Sequence, residues 1–226
     1  MSTKKAFLVS GGSGGIGSAV CKQLAGLGYV PVVAYHQDMG GAKAIAMECG
    51  GNALQLDLAS RASIMAATES LERLPMQIGG VVLAGSPPLT LAPFGRISAD
   101  DLWQQWLVHV QGPQILLAEL VKRFFRKAKQ GTVVGVLSKA MGDESGRNAV
   151  SCMGGYIIGK YGLAGVLASL AADYPWLRVC TVKPGYTETR MLDVFDERFL
   201  AQQRAKQAFQ TPGQVACQIV QEAMSP

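Results

Sequence analysis

Short apolar runs alternate with helical patterns along the whole sequence, and this alternation constrains the fold more than any other feature. Six runs read as strands: 6–10, 30–35, 53–56, 81–84, 132–137 and 179–182. The segments between them repeat apolar residues at a spacing of three or four, which is typical of helices packed on one face. Strands that alternate with helices predict an α/β fold, a doubly wound parallel sheet of about six strands with right-handed crossovers and helices on both faces.

The predicted helices cover 16–27, 42–48, 63–74, 100–128 and 155–174, and 197–224 is helical except for a break at 211–213. The longest helix is expected to bend near Gly112-Pro113, because proline lacks the N–H that continues a helix. No linker, low-complexity tract or internal repeat divides the sequence. Residues 1–226 therefore predict a single domain.

Composition narrows the class of protein. The apolar stretch 6–9 is too short for a signal sequence, and no uninterrupted apolar run approaches the roughly 20 residues of a membrane span. We therefore expect a cytoplasmic protein with no membrane partner. The sequence holds 5 cysteines and 2 histidines. Because the cysteine count is odd and includes no C-x-x-C pair, free thiols are favoured over disulfides, and no metal site is expected.

The net charge of +5 is modest, and its densest cluster is the basic stretch 122–129. This stretch is either a patch for nucleic acid or an acidic partner, or the solvated end of a helix whose dipole favours cations. No nucleic-acid-binding motif accompanies it. The helix end is therefore the favoured interpretation, and no nucleic-acid partner is expected.

A glycine-rich turn, 10–17, lies where the first strand leads into the first helix. Two spacings fit it: the ordinary Rossmann fingerprint starting at Gly12, and a wider variant starting at Gly11. Glycines let the backbone approach a pyrophosphate, and the helix N-terminus supplies N–H donors and a favourable dipole. The position of the turn, first in the chain and between strand and helix, predicts a dinucleotide site.

A second candidate site combines Tyr156 and Lys160, which share one helix face. A lysine cation held close to a tyrosine favours the phenolate and so makes the phenol a better acid–base group at neutral pH. Ser138 ends an apolar strand, and its hydroxyl can reach the same substrate oxygen. A tyrosine and a lysine at this spacing are common on helix surfaces, so the serine is what favours a catalytic site.

Together, these motifs resemble the short-chain dehydrogenase/reductase family. The residues that carry the resemblance are Ser10-Gly11-(x)3-Gly15-Ile16-Gly17, Ser138, Tyr156-(x)3-Lys160 and Pro184-Gly185-Tyr-Thr-Glu-Thr189. The resemblance implies that Tyr156 is the acid–base, that Lys160 lowers its pKa and binds the nicotinamide ribose, and that Ser138 orients the substrate carbonyl. Within the family, the stretch 35–43 looks most like the 3-oxoacyl-thioester reductases.

The resemblance also implies which residues hold the cofactor. They are Ser10, Gly11, Ser13, Gly15, Ile16, Gly17, Tyr35, His36, Asp57, Leu58, Ala84, Gly85, Lys160, Pro184, Gly185, Thr187 and Thr189. Asp57 either faces the adenine or caps the next helix. An NAD site wants a carboxylate at the end of the second strand, where this chain has Tyr35 and His36. NADP(H) is therefore expected over NAD(H), with Asp38, slightly further along, as the counter-evidence.

The sequence departs from the family in four places. The usual Asn-Asn-Ala-Gly is Val82-Leu83-Ala84-Gly85, so two asparagine side chains are missing. His109 stands where the family has the asparagine that helps to hold a relay water, and it is either part of a relay or a satisfied structural histidine. The segment 138–156 is longer than usual, which puts the shape of the substrate loop in doubt. The family's final strand is missing, so a homodimer through helices 100–128 and 155–174 is expected and not a tetramer.

The region after Thr189 is apolar, either as a substrate lid or as a helix that covers the core. An apolar lid suits an acyl, polyketide or aromatic ketone better than a free sugar. The prediction is an oxidoreductase that reduces such a ketone, small or carrier-bound. Lys127, Lys129 and Arg178 either face an acidic acyl carrier protein or are ordinary surface cations. The alternatives are a non-catalytic NADP-binding regulator and an enzyme acting on a sugar or another small alcohol.

Overall fold

The computed structural model describes residues 5–143 and 145–225 and contains one six-stranded parallel sheet. Its strands are β1 Lys5–Ser10, β2 Val30–Tyr35, β3 Asn52–Gln55, β4 Gln77–Leu83, β5 Thr132–Val136 and β6 Arg178–Val182. Their order in space is β3-β2-β1-β4-β5-β6. β1 lies between β2 and β4, with Val9 opposite Val33 on one side and Val82 on the other. The chain reverses its direction of winding there, and in such sheets ligands bind at the carboxyl ends of the strands beside that point.

Helices cover both faces of the sheet. They are α1 Gly15–Gly26, α2 Met39–Glu48, α3 Arg61–Glu72, α4 Ala99–Trp106, α5 Gly112–Leu120, α6 Arg126–Ala128, α7 Gly154–Asp173, α8 Glu197–Lys206 and α9 Pro212–Met224. Side chains alternate along β1, so Leu8 joins one hydrophobic cluster while Phe7 and Val9 join the other. The first cluster is closed by α3, α5 and α7, and the second by α1, α2 and α9. The predicted doubly wound α/β fold is confirmed.

The long central helix is continuous where a bend was predicted. Gly112 keeps helical dihedrals, with φ of −62° and ψ of −51°. A five-residue π-helical turn, Leu107–Gln111, precedes it, and the N–H of Gly112 donates to the carbonyl of Leu107. Pro113 has no N–H to give to the carbonyl four residues earlier, so a wide turn accommodates the missing donor without breaking the helix.

Other boundaries differ from the predictions by a few residues. β4 begins at Gln77, four residues before the predicted start, and α2 begins at Met39, where Asp38 caps it. The predicted break at 211–213 is wider, because α8 ends at Lys206 and α9 begins at Pro212. The sheet has six strands within the described residues, without a seventh.

α7 is 20 residues long and apolar enough, by length and composition, to cross a membrane. In this fold it packs on β5 and β6, and Leu163 and Leu167 belong to the core. Core helices of soluble proteins have the same length and composition, so this helix is weak evidence for a membrane span.

The basic stretch 122–129 forms the end of the long helix, as favoured from the sequence. The guanidinium of Arg123 donates to Glu119 at 2.7 Å and to Glu72 at 2.6 Å. The helix stops at Lys129, whose φ of +48° is left-handed, and the ammonium of that residue lies 5.4 Å from the ring centre of Trp176.

Candidate active site

The turn from β1 into α1 is a cradle of backbone. Gly11 has φ of +65°, and a Cβ at this position would lie 2.9 Å from the Cα of Gly85, so glycine is required. The N–H of Gly12 donates to the carbonyl of Ala34 at 2.8 Å, which ties the turn to the end of β2. α1 begins without a side-chain cap, so its first-turn N–H groups are not taken by a side chain. These donors and the helix dipole fit a pyrophosphate.

The cradle is joined to the end of β4 through Ser10. The hydroxyl of this buried residue accepts the N–H of Gly85 at 3.1 Å. Leu58 approaches the same loop, with its Cδ1 3.4 Å from a Cβ placed on Gly85. The neighbouring Ala84 is half-buried. Four residues expected to touch the cofactor therefore meet at the carboxyl ends of β1, β3 and β4.

Ser138, Tyr156 and Lys160 meet at the carboxyl end of β5. Ser138 comes two residues after that strand, and its hydroxyl shares a hydrogen bond with the Tyr156 hydroxyl. Lys160 is only 2% exposed, and its ammonium donates to the carbonyl of Val136 at 2.8 Å. The same ammonium lies 5.4 Å from the ring centre of Tyr156. A carbonyl oxygen placed beside Ser138 and Tyr156 would meet two hydroxyl donors.

Burial sets the protonation of this group. Burial raises the pKa of Tyr156 above its usual value, and the hydrogen bond with Ser138 opposes that shift. Burial also lowers the pKa of Lys160 to about 7. The lowering of the Tyr156 pKa that was expected from Lys160 is not found, because desolvation of the phenol is the larger effect. Tyr156 is therefore protonated at neutral pH, as a proton donor must be.

The loop after β6 reaches back to the cradle. Pro184 and Gly185 follow the strand directly, and the hydroxyl of Thr187 donates to the carbonyl of Gly185 at 3.1 Å. The methyl of Thr189 would be 2.6 Å from a Cβ placed on Gly15 at the start of α1. The cradle, the Ser138 group and this loop therefore surround one groove along the carboxyl edge of the sheet.

The family model of short chain dehydrogenases matches residues 5–198 of this sequence, which includes the cradle and all three side chains of the Ser138 group. The chain belongs to the short-chain dehydrogenase family. It is an oxidoreductase, and its relatives include 3-oxoacyl-[acyl-carrier-protein] reductases.

Several characterised proteins are similar to it. The 3-oxoacyl-[acyl-carrier-protein] reductase of Bos taurus is 29% identical over 202 residues, which cover 87% of this chain and 81% of that protein. The cyclic-di-GMP-binding biofilm dispersal mediator protein of Escherichia coli is 27% identical over 192 residues, covering 83% and 75%. The crystal structure of an angucycline C-6 ketoreductase with bound NADP superposes with a TM-score of 0.83 at 17% identity, covering 97% of this chain and 88% of that one. The last likeness concerns the fold alone.

The end of β2, where members of this dehydrogenase family meet the adenosine ribose, has no free carboxylate on its own strand. The carboxylate of Asp38 accepts the N–H of Gly41 at 2.9 Å and so caps α2. His36 is exposed, and its Nε2 lies 3.6 Å from the Oδ2 of Asp57. Tyr35 is half-buried beside it. The carboxylate that lies beside His36 is thus that of Asp57, from the loop after β3.

Asp57 does not cap the next helix, so one of its two expected roles is wrong. Its Oδ1 accepts the N–H of Ala59 at 2.8 Å, within its own turn. The N-cap of α3 is Ser60, whose hydroxyl accepts the N–H of Ser63. The chain leaves β3 through a tight turn before the helix starts, which puts Asp57 three residues too early for the cap.

The dehydrogenase lacks the usual asparagines at the end of β4, and apolar packing takes their place. Val82 and Leu83 are 1% and 2% exposed and belong to the clusters on opposite faces of the sheet. The approach of Gly85 to the cradle is retained through its hydrogen bond with Ser10.

His109 is not a satisfied structural histidine. It is 1% exposed in the π-helical turn, and neither ring nitrogen has a hydrogen-bond partner among residues 5–143 and 145–225. Its ring meets that of Tyr156 edge to face with 5.8 Å between centres. Burial, followed by the charge of Lys160, lowers its pKa well below the usual value, so it is neutral. A Cβ on Gly159 would lie 2.8 Å from its Nδ1, so this glycine makes room for the ring.

The cations expected to face an acyl carrier protein lie away from the Ser138 group. Lys129 precedes β5 and Arg178 opens β6, so these cations lie at the amino-terminal edge of the sheet, opposite Ser138. Arg178 also donates to the carbonyl of Glu222 at 2.7 Å. The contact of Lys127, Lys129 and Arg178 with an acyl carrier protein stays a prediction, on a surface away from the Ser138 group.

Sequence reasoning missed three residues of this region: Gln105, Gly159 and Gln210. The Oε1 of Gln105 is buried without a partner within the described residues, one helical turn before His109. Gly159 carried a signal, because glycine inside a helix is unfavourable and needs a packing reason. Gln210 carried none, since it contacts a loop more than twenty residues earlier in the chain.

Proposed function

We propose that this dehydrogenase reduces a ketone to a secondary alcohol with NADP(H). The observation that carries the proposal is the meeting of Ser138, Tyr156 and Lys160 beside a glycine cradle, at the carboxyl edge where doubly wound sheets bind ligands. A chain that only binds a nucleotide has no physical need to bury a lysine behind a hydrogen-bonded pair of hydroxyls.

Each of the three side chains has a separate task. Ser138 donates to the substrate carbonyl and orients it, while Tyr156 donates the proton that the oxygen gains. Lys160 holds the nicotinamide ribose and supplies positive charge beside the phenol as its proton leaves. When bound, the nicotinamide supplies the hydride. His109 packs against Tyr156, close enough to Lys160 to feel its charge, and acts as a positioning residue.

The cradle fits a dinucleotide because its donors are backbone N–H groups at a helix start. The residues that would hold the cofactor are Ser10, Gly11, Ser13, Gly15, Ile16, Gly17, Tyr35, His36, Asp57, Leu58, Ala84, Gly85, Lys160, Pro184, Gly185, Thr187 and Thr189. Most of them line the groove from the end of β2 to the loop after β6.

NADP(H) is proposed over NAD(H), because the carboxylate of Asp38 is occupied as the cap of α2 while His36 is exposed at the strand end. Titration of the chain with NADPH and with NADH, followed by cofactor fluorescence, tests it. Clearly tighter binding of NADH would overturn the choice.

The proposed substrate is a 3-oxoacyl thioester or a related polyketide or aromatic ketone. Four aromatic rings lie together after β6, with Tyr186 stacked on Phe209 at 5.0 Å and Phe195 stacked on Phe199 at 5.0 Å. Apolar rings beside the site suit an acyl or aromatic group better than a sugar. NADPH oxidation is to be screened with acetoacetyl thioesters, diketones, quinones and keto-sugars. Turnover of keto-sugars alone would contradict the proposal.

The helices α4 and α7 expose apolar side chains that suit a homodimer. Trp103 and Trp106 are 55% and 43% exposed on α4, and Ile158 and Tyr161 are 40% and 41% exposed on α7. Large exposed apolar side chains grouped on neighbouring helices favour an interface between copies. Light scattering is expected to give a dimer, and a stable tetramer would rule this arrangement out. The five free cysteines suit the reducing conditions of the cytoplasm, where we place the enzyme.

A regulator that binds a nucleotide without turnover is the second candidate. It is favoured by the similarity to the cyclic-di-GMP-binding protein of Escherichia coli and by the replacement of the family asparagine with His109. Tight NADPH binding without turnover of any ketone in the screen would favour it over the reductase.

A further inference from the structure

A single glutamine, outside every sequence motif, holds the loop that follows β6. Gln210 lies between α8 and α9 and forms a parallel bridge with Thr187. Its backbone N–H donates to the carbonyl of Tyr186 at 2.8 Å, and its own carbonyl accepts the N–H of Glu188 at 2.9 Å. Its side-chain Oε1 accepts the N–H of Gly185 at 3.1 Å. Three hydrogen bonds from one residue therefore fix a stretch of four residues.

The segment that carries Gln210 is itself anchored. The next residue, Thr211, starts α9 with a capping box, in which its hydroxyl and the side chain of Gln214 satisfy each other's backbone N–H. The side chain of Gln23, on α1, donates to the carbonyl of Gly213 at 2.9 Å. Gln210 thus couples the loop to the start of α9 and, through it, to α1, whose first turn forms the cradle.

The side chain of Gln210 makes a hydrogen bond that depends on the identity of this residue, whereas its backbone hydrogen bonds do not. The two backbone hydrogen bonds form with any residue, whereas only an acceptor of this length reaches the N–H of Gly185. Gly185 lies beside the residue that follows Ser138, since a Cβ on it would be 3.7 Å from Cδ of Lys139. The carbonyl of the preceding Pro184 accepts the N–H of Lys139 at 2.8 Å.

We propose that Gln210 is a positioning residue for the nicotinamide ring and acts through the loop 184–189 without touching the reacting atoms. The inference rests on the proposed function, because it assigns the loop to the nicotinamide end of the cofactor. Hydride transfer depends steeply on the placement of the reacting atoms, and a shift of about 1 Å can reduce the rate about 100-fold. By holding the loop 184–189, the side chain of Gln210 keeps one side of the nicotinamide site in a constant position.

Hydrogen exchange of the chain without any added cofactor tests the hydrogen-bonding role. Gln210→Ala removes the acceptor for Gly185, and Gln210→Glu keeps an oxygen at the same place. Gln207→Ala is the matched control, since Gln207 is an exposed glutamine in the same segment. Faster exchange of the loop is expected in Gln210→Ala alone. Unchanged exchange in that variant would overturn the proposal.

Ligand binding tests the role toward the nicotinamide. We expect Gln210→Ala to weaken NADPH about 2- to 10-fold, the effect of one lost hydrogen bond, and to leave 2′-phospho-ADP-ribose within about twofold. This fragment has the cradle-binding part of the cofactor and no nicotinamide. Equal weakening of both ligands, or of neither, would overturn the proposal. Wild-type protein that binds neither NADPH nor NADH would instead contradict the proposed function, and the exchange experiment does not depend on it.

Discussion

The two walls of the groove are built differently, one from backbone and the other from buried side chains. The cradle after β1 is made of backbone, and its polar groups are paired within the chain or left at the surface for a ligand. The wall between the long helix and α7 is made of side chains that are almost completely buried: Tyr156, Lys160 and His109. Two of its polar atoms, the ring nitrogens of His109, have no partner among the described residues.

This difference teaches which wall tolerates substitution. A cradle of backbone depends on dihedral angles and close approach, so a single methyl group can close it. In a wall of buried side chains, desolvation sets the pKa values. Each added or removed charge or hydrogen bond therefore changes the protonation of its neighbours. We therefore expect variants of the cradle to change binding and stability together. Variants of the buried wall are expected to change rate and stability in opposite directions.

The largest effect is expected at the buried wall. Tyr156→Phe removes the proton donor and should lower kcat by about 100- to 10,000-fold, the range for a lost general acid. NADPH affinity, measured by fluorescence titration, should stay within about twofold. Tyr161→Phe is the control, because it removes a hydroxyl from the same helix whose partner is the carbonyl of Met141. Equal loss of kcat in both variants would show that the helix, and not the proton donor, was affected.

The next effect is expected at the cradle. Gly11→Ala forces a side chain into a left-handed conformation and against Gly85, so the free energy of unfolding should fall by about 1 to 3 kcal/mol. NADPH should bind roughly tenfold more weakly or worse. Gly26→Ala, at the far end of α1 with open space around it, should instead stabilise the chain by up to about 1 kcal/mol. Urea unfolding of both variants measures the contrast, and a stable Gly11→Ala that binds NADPH normally would contradict a backbone cradle.

The buried lysine gives the third prediction. Lys160 has a pKa of about 7 in the folded chain against 10.5 for an exposed lysine, so between these values the unfolded chain binds more protons. Its contribution to stability therefore rises with pH by up to about 1.4 kcal/mol per unit over that window. Lys160→Met should stabilise the chain strongly at pH 6 and progressively less toward pH 10. The difference in the free energy of unfolding between wild type and Lys160→Met, measured with urea at each pH, isolates the contribution of this residue. A difference that does not change with pH would contradict a lowered pKa of Lys160 in the folded chain.

The smallest change in rate is expected at His109. His109→Phe retains a ring against Tyr156 and removes two buried nitrogens without partners, so the chain should gain about 1 to 3 kcal/mol of stability. We expect kcat to fall up to about tenfold with unchanged NADPH affinity, because an apolar ring then replaces the polar imidazole beside Tyr156. Paired measurements of thermal unfolding and kcat check both directions. A variant that is more stable and fully active would give His109 a packing role only.

Much of the fold was predictable, because parallel strands and their helices leave strong periodic signals. The six strands, their alternation with helices and the cradle all follow from local patterns between Ala6 and Val182. The π-helical turn before Gly112 was not predictable in form: Pro113 signals that a donor is missing but not how the helix absorbs the loss. The position of Asp57 after a strand was predictable, but its hydrogen-bond partner was not. A carboxylate there can accept an N–H of its own turn or cap the next helix.

The candidate site was predictable where it depends on motif order and not where it depends on burial. The placement of Ser138 next to Tyr156 was expected from the family motifs. The upward shift of the Tyr156 pKa was not, because desolvation depends on the packing of several elements. The role of Gln210 could not be predicted for a related reason. Its partners lie far away in the sequence and are brought to it by the packing of α9 on α1.

Isotope transfer tests the central claim most directly. The chain is incubated with the best ketone of the screen and NADPH that carries deuterium on the transferable position of C4, and the product is examined by mass spectrometry and proton NMR. Hydride transfer predicts one deuterium on the carbinol carbon of the alcohol, with its formation reduced in Tyr156→Phe. Alcohol without deuterium on that carbon, or formed equally fast by Tyr156→Phe, would contradict a reductase that works through this site.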